Sequence, residues 1–406
     1  MNRHLSYFTR SNQTVVMGAI YFFGYGSLGT WLGFFNLFLE QRGFSGKEIG
    51  LILGGQQAIL FFVVLFWGLL ADRYGNKSIL GIVAFLSLFI INAIPLQYSF
   101  VAMLLMMLGW AFVSHAQGTL MDSLVVSYVK RSGKSSFGAI RVWGSVGWAM
   151  TNFLVGYYLK SHALTDIFAL AFWGMVIYFI VITFFVRGQE RDPQQPKFAW
   201  VQFRTLLQKK SILFFLLILF LYGICVTPIN LFLNLYFKEL GGDYQIVGTA
   251  FGLNALSEIP LFFLAVSLVK RFGPLRIIIF SMFVTMLRLL GYGQISDPHV
   301  ALILSGLNGI SFSFFWVATV DYLHKLVPEE WRATGQALLW AFHLGAGVTV
   351  GNILIGYLYD FIGMRAVMTF DAGLVLLVLV FVTGYSKKYG SNSIASAEGT
   401  HPRGMV

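Results

Sequence analysis

Apolar runs of twenty or more residues, nearly free of charge, recur along the whole length of this chain. Each is about as long as the ~20 residues an α-helix needs to cross the hydrocarbon core of a bilayer. Hydrophobic residues make up 57% of the chain and charged residues only 11%, against roughly a quarter charged in soluble domains. Inside lipid every backbone N–H and C=O must be paired within the protein, so only helices and closed barrels can span it. The runs are too long and too little alternating for barrel strands. The expectation is an all-α, multi-pass membrane protein. The predicted spans are 14–39, 47–70, 78–97, 100–128, 137–159 and 165–186, then 211–237, 245–269, 275–295, 300–324, 332–358 and 363–385.

Charge placement orients these twelve spans. Of 28 Lys and Arg residues, Arg42, Lys47, Lys160, Lys238 and Arg365 fall outside, and Arg141 and Arg288 within the membrane. The remaining 21 fall on one side, which the positive-inside rule makes cytoplasmic, with both termini there. A cell (inner) membrane location follows. The net charge of +11 is explained by this bias, so no nucleic-acid partner is expected. Residues 187–210, rich in charge, Gln and Pro, read as a cytoplasmic linker loop. It separates an N-terminal six-helix bundle (1–186) from a C-terminal one (211–385), and the small, polar 386–406 reads as a disordered cytoplasmic tail. The lone Cys225 excludes an internal disulfide and a multi-cysteine metal site. No G-x-x-x-x-G-K-S/T run is present, which argues against an ATP-driven pump. No enzyme activity, cofactor or metal is expected, and a monomer in the bilayer is.

The two halves repeat one another. Phe38, Gly43 and Ile49-Gly50 have the spacing of Tyr236, Gly241 and Val247-Gly248, and Arg73-Tyr-Gly75 matches Arg271-Phe-Gly273, each pair 198 residues apart. A six-plus-six parallel repeat around a central cytoplasmic loop resembles the major facilitator superfamily. GLLADRYGNK (68–77) is similar to that superfamily's cytoplasmic-loop signature. In it Gly68 and Gly75 frame a tight turn, and Asp72 and Arg73 stand where they can lock an inward gate. In the second copy Lys270 replaces the Asp.

Four charges lie within the apolar runs: Asp122, Arg141, Glu258 and Arg288. Such residues are costly in lipid and usually face a partner or a watery cavity. Asp122 precedes Lys130 by eight residues and Arg141 follows Lys134 by seven, which puts both roughly 10–12 Å into the membrane. Glu258 and Arg288 each lie twelve residues from Lys270 and Arg276, roughly 18 Å deep. The charges thus form two depth-matched pairs, one per half. Purely structural salt bridges explain this poorly, because desolvation offsets much of the attraction in a buried ion pair. An Arg presents a planar fork of donors to hydroxyls or a carboxylate, and a carboxyl sequestered from water can take a proton. Glu258, the deeper acid, is the better proton carrier.

FGAIRVWGSVGW (137–148) resembles a signature of the oligosaccharide–proton symporters, of which lactose permease is the type, and of the neighbouring phenylpropionate-permease-like group. The resemblance implies that Asp122 and Arg141 flank the solute and that Trp148 stacks on it. SEIPLFF and MLRLLGYG match the helix-eight acid and helix-nine Arg of those families at Glu258 and Arg288, and RATGQALLWAFHLGAG (332–347) resembles the start of their helix eleven. One departure stands out. Leu307-Asn308 replaces the Leu-His of helix ten, and Ser311 stands where lactose permease has a glutamate. Asn308 cannot titrate, so Asp321, His343 or His115 are candidates to complete the proton relay. Asn308 and Asn254 are candidate solute contacts, and Trp31, Trp316 and Trp340 candidate stackers. The R-x-x-Q-G and Gly-Pro motifs of drug exporters are absent; the corresponding window is Ser114-His-Ala-Gln117-Gly118. The expectation is proton-coupled uptake of a sugar, nucleoside or aromatic acid. An exporter of a drug, siderophore or lipid-linked molecule is the alternative. A non-transporting sensor or assembly partner fits the gate motif less well.

Overall fold

The computed structural model describes residues 13–133, 135–186 and 200–398, and these are helical throughout, with short connections and no strand. In the first half the helices are α1 (Gln13–Gln41, bent near Gly33), α2 (Gly46–Tyr74), α3 (Asn76–Leu96), α4 (Phe100–Ser132), α5 (Phe137–Tyr158) and α6 (Asp166–Phe185). The second half holds α7 (210–239), α8 (Tyr244–Phe272), α9 (Pro274–Gln294) and α10 (Pro298–Leu326). It closes with α11 (332–362) and α12 (364–398), a single run broken at Gly363, whose φ of 74° no other residue type adopts easily.

Local sequence explains where the helices begin. Ser45 and Glu48 form a capping box at α2, and Ser99, Ser136, Asp243 and Asp297 accept backbone N–H bonds at α4, α5, α8 and α10. Gly75, Gly133 and Gly273 end α2, α4 and α8 with positive φ.

Nine stretches among the described residues are long and apolar enough to cross a membrane. Two of the expected spans are not among them, for clear reasons. α5 carries Arg141 within a glycine- and tryptophan-rich helix, and α7 breaks at Val226 ahead of Pro228, leaving Lys210–Cys225 as its longest piece. Part of the expected linker is a short helix, Trp200–Gln208, while 187–199 lies outside the described residues. The expected tail begins as a continuation of α12 to Glu398 rather than as coil, and 399–406 again lies outside.

Within the first half α1 packs on α5 and α6, and α3 on α4 and α6; within the second α7 packs on α11 and α12, and α9 on α10 and α12. The halves meet along two seams, α5 with α8 and α2 with α11. Both seams depend on glycine. A Cβ on Gly248 would sit 2.2 Å from the carbonyl oxygen of Asn152, and one on Gly356 would sit 2.3 Å from that of Gly46. The backbones therefore touch, as in other close membrane helix pairs.

Hydrogen bonds between the halves gather at the end that carries the 42–45, 240–243 and 359–363 turns. Asn36 donates to Asn234 (3.2 Å) and to the Leu231 carbonyl (2.6 Å), and Asn234 donates to the Gly33 carbonyl (3.0 Å). Lys238 pairs with Glu40 (2.5 Å), Tyr359 donates to Glu40 (2.9 Å), and Asp360 accepts from the Gly46 and Lys47 amides. The Lys238–Glu40 pair is partly exposed, and such pairs contribute only ~0–1 kcal/mol. Leaving a buried Asn unpaired costs more, roughly 1–3 kcal/mol. Asn36→Leu is therefore expected to loosen this end several-fold more than Lys238→Ala does. Thiol labelling of a cysteine placed at Leu235, on a Cys225→Ser background, checks the order.

Candidate functional site

Three of the four intramembrane charges converge between the halves. Arg141 lies five residues into α5 beyond its Ser136 cap. Its side chain is exposed to solvent although the residue sits within the helical body. It lies within electrostatic reach of Tyr25, Asp122, Tyr21 and Glu258. Asp122, partly buried on α4, accepts a hydrogen bond from the Tyr21 hydroxyl. Tyr21 and Tyr25 lie parallel, with centroids 6.0 Å apart. Arg141, exposed and within reach of groups from α1, α4 and α8, marks the candidate chamber, on the side away from the sealed end.

The helix-five signature explains this geometry. A Cβ at Gly147 would stand 2.2 Å from the Phe22 carbonyl, and one at Gly144 would stand 2.9 Å from the Tyr25 ring. The two glycines let α1 lie against α5, and that contact carries Tyr21 and Tyr25 to Arg141. Neither tyrosine stands out in the sequence, where both read as packing aromatics; their spacing of four, on one face of α1, is the signal that identifies them.

Glu258 on α8 is partly buried and accepts from the Asn308 amide (2.8 Å). Asn308 in turn accepts from Arg288 through its Oδ1 (3.0 Å), so a neutral side chain links the acid to the guanidinium. Arg288 is 1% exposed and also donates to the Leu304 carbonyl (2.9 Å) and to Ser311 (2.5 Å), while its Nη2 has no protein partner. The two residues that depart from the family pattern, Asn308 and Ser311, are thus the residues that hold Arg288.

The depth-matched pairs are not salt bridges. Among the described residues the ion pairs are Lys238–Glu40, Lys325–Asp321 and Arg332–Glu329. Asp122 is bonded to Tyr21, and Arg288 is drawn to α10, so opposite charges stay apart and Arg141 has an acid in each half. Asp321 pairs with Lys325 one turn on (2.9 Å), and His343 bonds the Leu219 carbonyl (2.9 Å), so neither joins the Glu258–Asn308–Arg288 chain. His115 likewise bonds the Gln56 carbonyl across to α2.

The remaining candidates are scattered. Trp148 and Asn254 are partly exposed, and the Asn254 Oδ1 lacks a protein partner. Trp31 is not a stacker: it is fully buried against Phe35, Trp110 and Phe168. Trp316 packs edge-on against Trp340. In the gate motif Gly75 has the expected turn conformation (φ 88°), while Gly68, Asp72 and Arg73 are exposed and Arg73 lies over the Tyr74 ring. One cleft, about 340 Å³, is apolar and lies between α1, α5 and α6, away from these charges. The sequence reading missed one buried acid. Asp371 on α12 is 0% exposed, and the signal was a lone Asp inside the apolar run 363–385.

Comparison with known proteins agrees with this architecture. The model of the "MFS_1 like family" matches residues 14–371. The maltose permease of Geobacillus stearothermophilus is 27% identical over 370 residues, covering 88% of this chain and 91% of that one. The "Probable 3-phenylpropionic acid transporter" of Escherichia coli (strain K12) is 23% identical over 351 residues, covering 84% and 89%. The crystal structure of the nucleoside transporter NupG superposes with a TM-score of 0.83 at 17% identity, over 93% of this chain and 99% of that one, a likeness of fold. Family models of this kind describe transporters, not enzymes. The chain belongs to the MFS_1-like family of the major facilitator superfamily and is a multi-pass membrane transport protein.

Proposed function

We propose that the chain is a proton-coupled symporter that takes up a small polar organic solute: a sugar, a nucleoside or an aromatic acid. The observation that carries this reading is the wet Arg141, set within reach of an acid from each half. Such a group can hold a polar solute and sense the charge state of both acids.

The proposed architecture has twelve spans in two six-helix bundles, 1–186 and 211–385, joined by the linker and related by a pseudo-two-fold axis. The count of twelve follows if α5 and α7 cross the membrane and if Thr334–Ser386, at 53 residues, crosses twice. A straight helix of that length would measure roughly 80 Å, against a hydrocarbon core of roughly 30 Å. With the termini cytoplasmic in an inner membrane, the sealed end faces out and the chamber faces in. The protein acts as a monomer.

In the transport cycle Arg141 and Asp122 orient the solute, Trp148 stacks on it, and Asn254 and Asn308 add polar contacts. Glu258 exchanges a proton, and Asn308 passes its change of charge to Arg288. Opening the sealed end means parting the Gly248 and Gly356 seams, while Asp72 and Arg73 lock the opposite end. Maltose permease and the phenylpropionic acid transporter favour solutes of these classes.

Counterflow in proteoliposomes with maltose, uridine and 3-phenylpropionate tests the reading. Uptake of one of them is expected, with accumulation following an imposed pH gradient. Accumulation driven by sodium alone would refute the proton assignment. Movement only outward against a gradient would instead identify an exporter.

A further inference from the structure

The least accommodated ionisable group among the described residues lies outside the candidate chamber. Asp371, on α12, is 0% exposed, and neither carboxyl oxygen has a protein hydrogen-bond partner. α12 packs against α7 and α9, and the charged and titratable groups on these helices and on the joined α11 are otherwise engaged. From α7 the group facing Asp371 is Cys225, itself buried. On α9, Arg288 is turned to Leu304, Asn308 and Ser311, and Tyr292 bonds Ser305. On α11, His343 bonds the Leu219 carbonyl and Asp360 the amides at the start of α2. On α12 itself, Arg365 lies two turns nearer the sealed end and reaches the Gln294 carbonyl. No ion pair joins Asp371 among the described residues.

An isolated carboxylate is among the most expensive groups to bury, and proteins that bury one supply a positive charge or a proton. Here no described residue supplies a cation. The position is not a packing requirement of the fold either. In the repeat, Ser27 is the counterpart of Cys225 and packs against Gly174, and the interior of α6 (167–186) contains no charged residue. The acid is thus peculiar to the second half. A second unpaired group stands nearby in depth: Asn352 on α11 is 0% exposed, and neither its amide nitrogen nor its oxygen has a partner. Counted from the break at Gly363, Asn352 and Asp371 lie about 16 and 12 Å along their helices. The second half therefore buries an acid on α12 and a carboxamide on α11, neither with a side-chain hydrogen bond.

We propose that Asp371 binds a small monovalent cation, a proton or a sodium ion, within the α7–α12 seam, as a second coupling carboxyl separate from Glu258. In the proton case the carboxylate takes H⁺ to become a carboxylic acid. In the sodium case its oxygens ligate Na⁺ and no bond is broken. The site is in the half that carries the Glu258–Asn308–Arg288 chain, so its occupancy biases the same rigid body. The proposal rests on the ion-coupled reading above.

Two measurements decide it. The first needs no solute and no variant. The full chain in liposomes is treated with a hydrophobic carbodiimide, which modifies protonated carboxyls in apolar surroundings, and Asp371 is read by peptide mass spectrometry across pH, with and without NaCl. Modification that falls as pH rises supports a proton site, and protection by NaCl at fixed pH supports sodium. Modification indifferent to both, or none, overturns the proposal. The second compares Asp371→Asn with the wild type, using whichever of maltose, uridine or 3-phenylpropionate exchanges. Counterflow is expected to stay within about twofold, while gradient-driven accumulation falls about tenfold, a typical coupling magnitude, with partial rescue in Asp371→Glu. Accumulation by Asp371→Asn equal to that of the wild type overturns this proposal alone. A wild type that exchanges but never accumulates overturns it together with the ion-coupled reading.

Discussion

Arg141→Ala is expected to reduce uptake by roughly 100-fold or more, from the loss of two charge-assisted hydrogen bonds at about 1.5–3 kcal/mol each. The damage has two sources. The solute loses its fork of donors, and Asp122 and Glu258 lose the cation that lies between them. Arg141→Lys is expected to recover little, because an ammonium is a point charge and cannot hold Tyr25 and a solute in one plane. Initial rates of counterflow, compared at matched protein levels, measure this. If Arg141→Ala exchanges solute at the wild-type rate, the chamber is not the binding site.

Glu258→Gln is expected to separate exchange from accumulation. Gln keeps the shape of a protonated Glu and can still accept from the Asn308 amide, so the network is preserved without its proton chemistry. Counterflow should persist. One proton per solute across a gradient of one pH unit supplies about 1.4 kcal/mol, a tenfold concentration ratio, and the variant should fall from about tenfold to unity. Transport by Glu258→Gln that still responds to the pH gradient would move the coupling role elsewhere, with Asp371 next in line.

Much of this was legible in the sequence because lipid imposes few solutions. Length and hydropathy gave helices, and the fixed offset gave the repeat. Charges in apolar runs pointed to the candidate site, since no cheap alternative explains Arg141 or Arg288 in a bilayer. What stayed hidden depends on which neighbours a helix meets. Matching depth on adjacent helices suggested that Asp122 and Arg141 touch, but Tyr21, from a helix a hundred residues earlier, takes the acid. Asn308 looked like a broken relay, and its role as a bridge required seeing both of its ends. Asp371 escaped a search for opposite charges at matching depth, because it has no such partner.

The seal at the closed end bears on how such a chain came to exist. Asn36 bonds Asn234 and Glu40 pairs with Lys238, and in both cases the partners are 198 residues apart. Equivalent positions in the two copies therefore meet each other, as residues on a dyad do in a symmetric dimer. An asparagine can bond its own copy, donor to acceptor, so that contact works equally well between two identical chains. Position 40 cannot do this: two copies of one half would set glutamate against glutamate, or lysine against lysine. The Glu40–Lys238 pair is available only once the two copies differ in sequence at this position. A homodimer carrying either residue at this position would set like charges together at its closed end, and divergence of the two copies turns that contact into a latch.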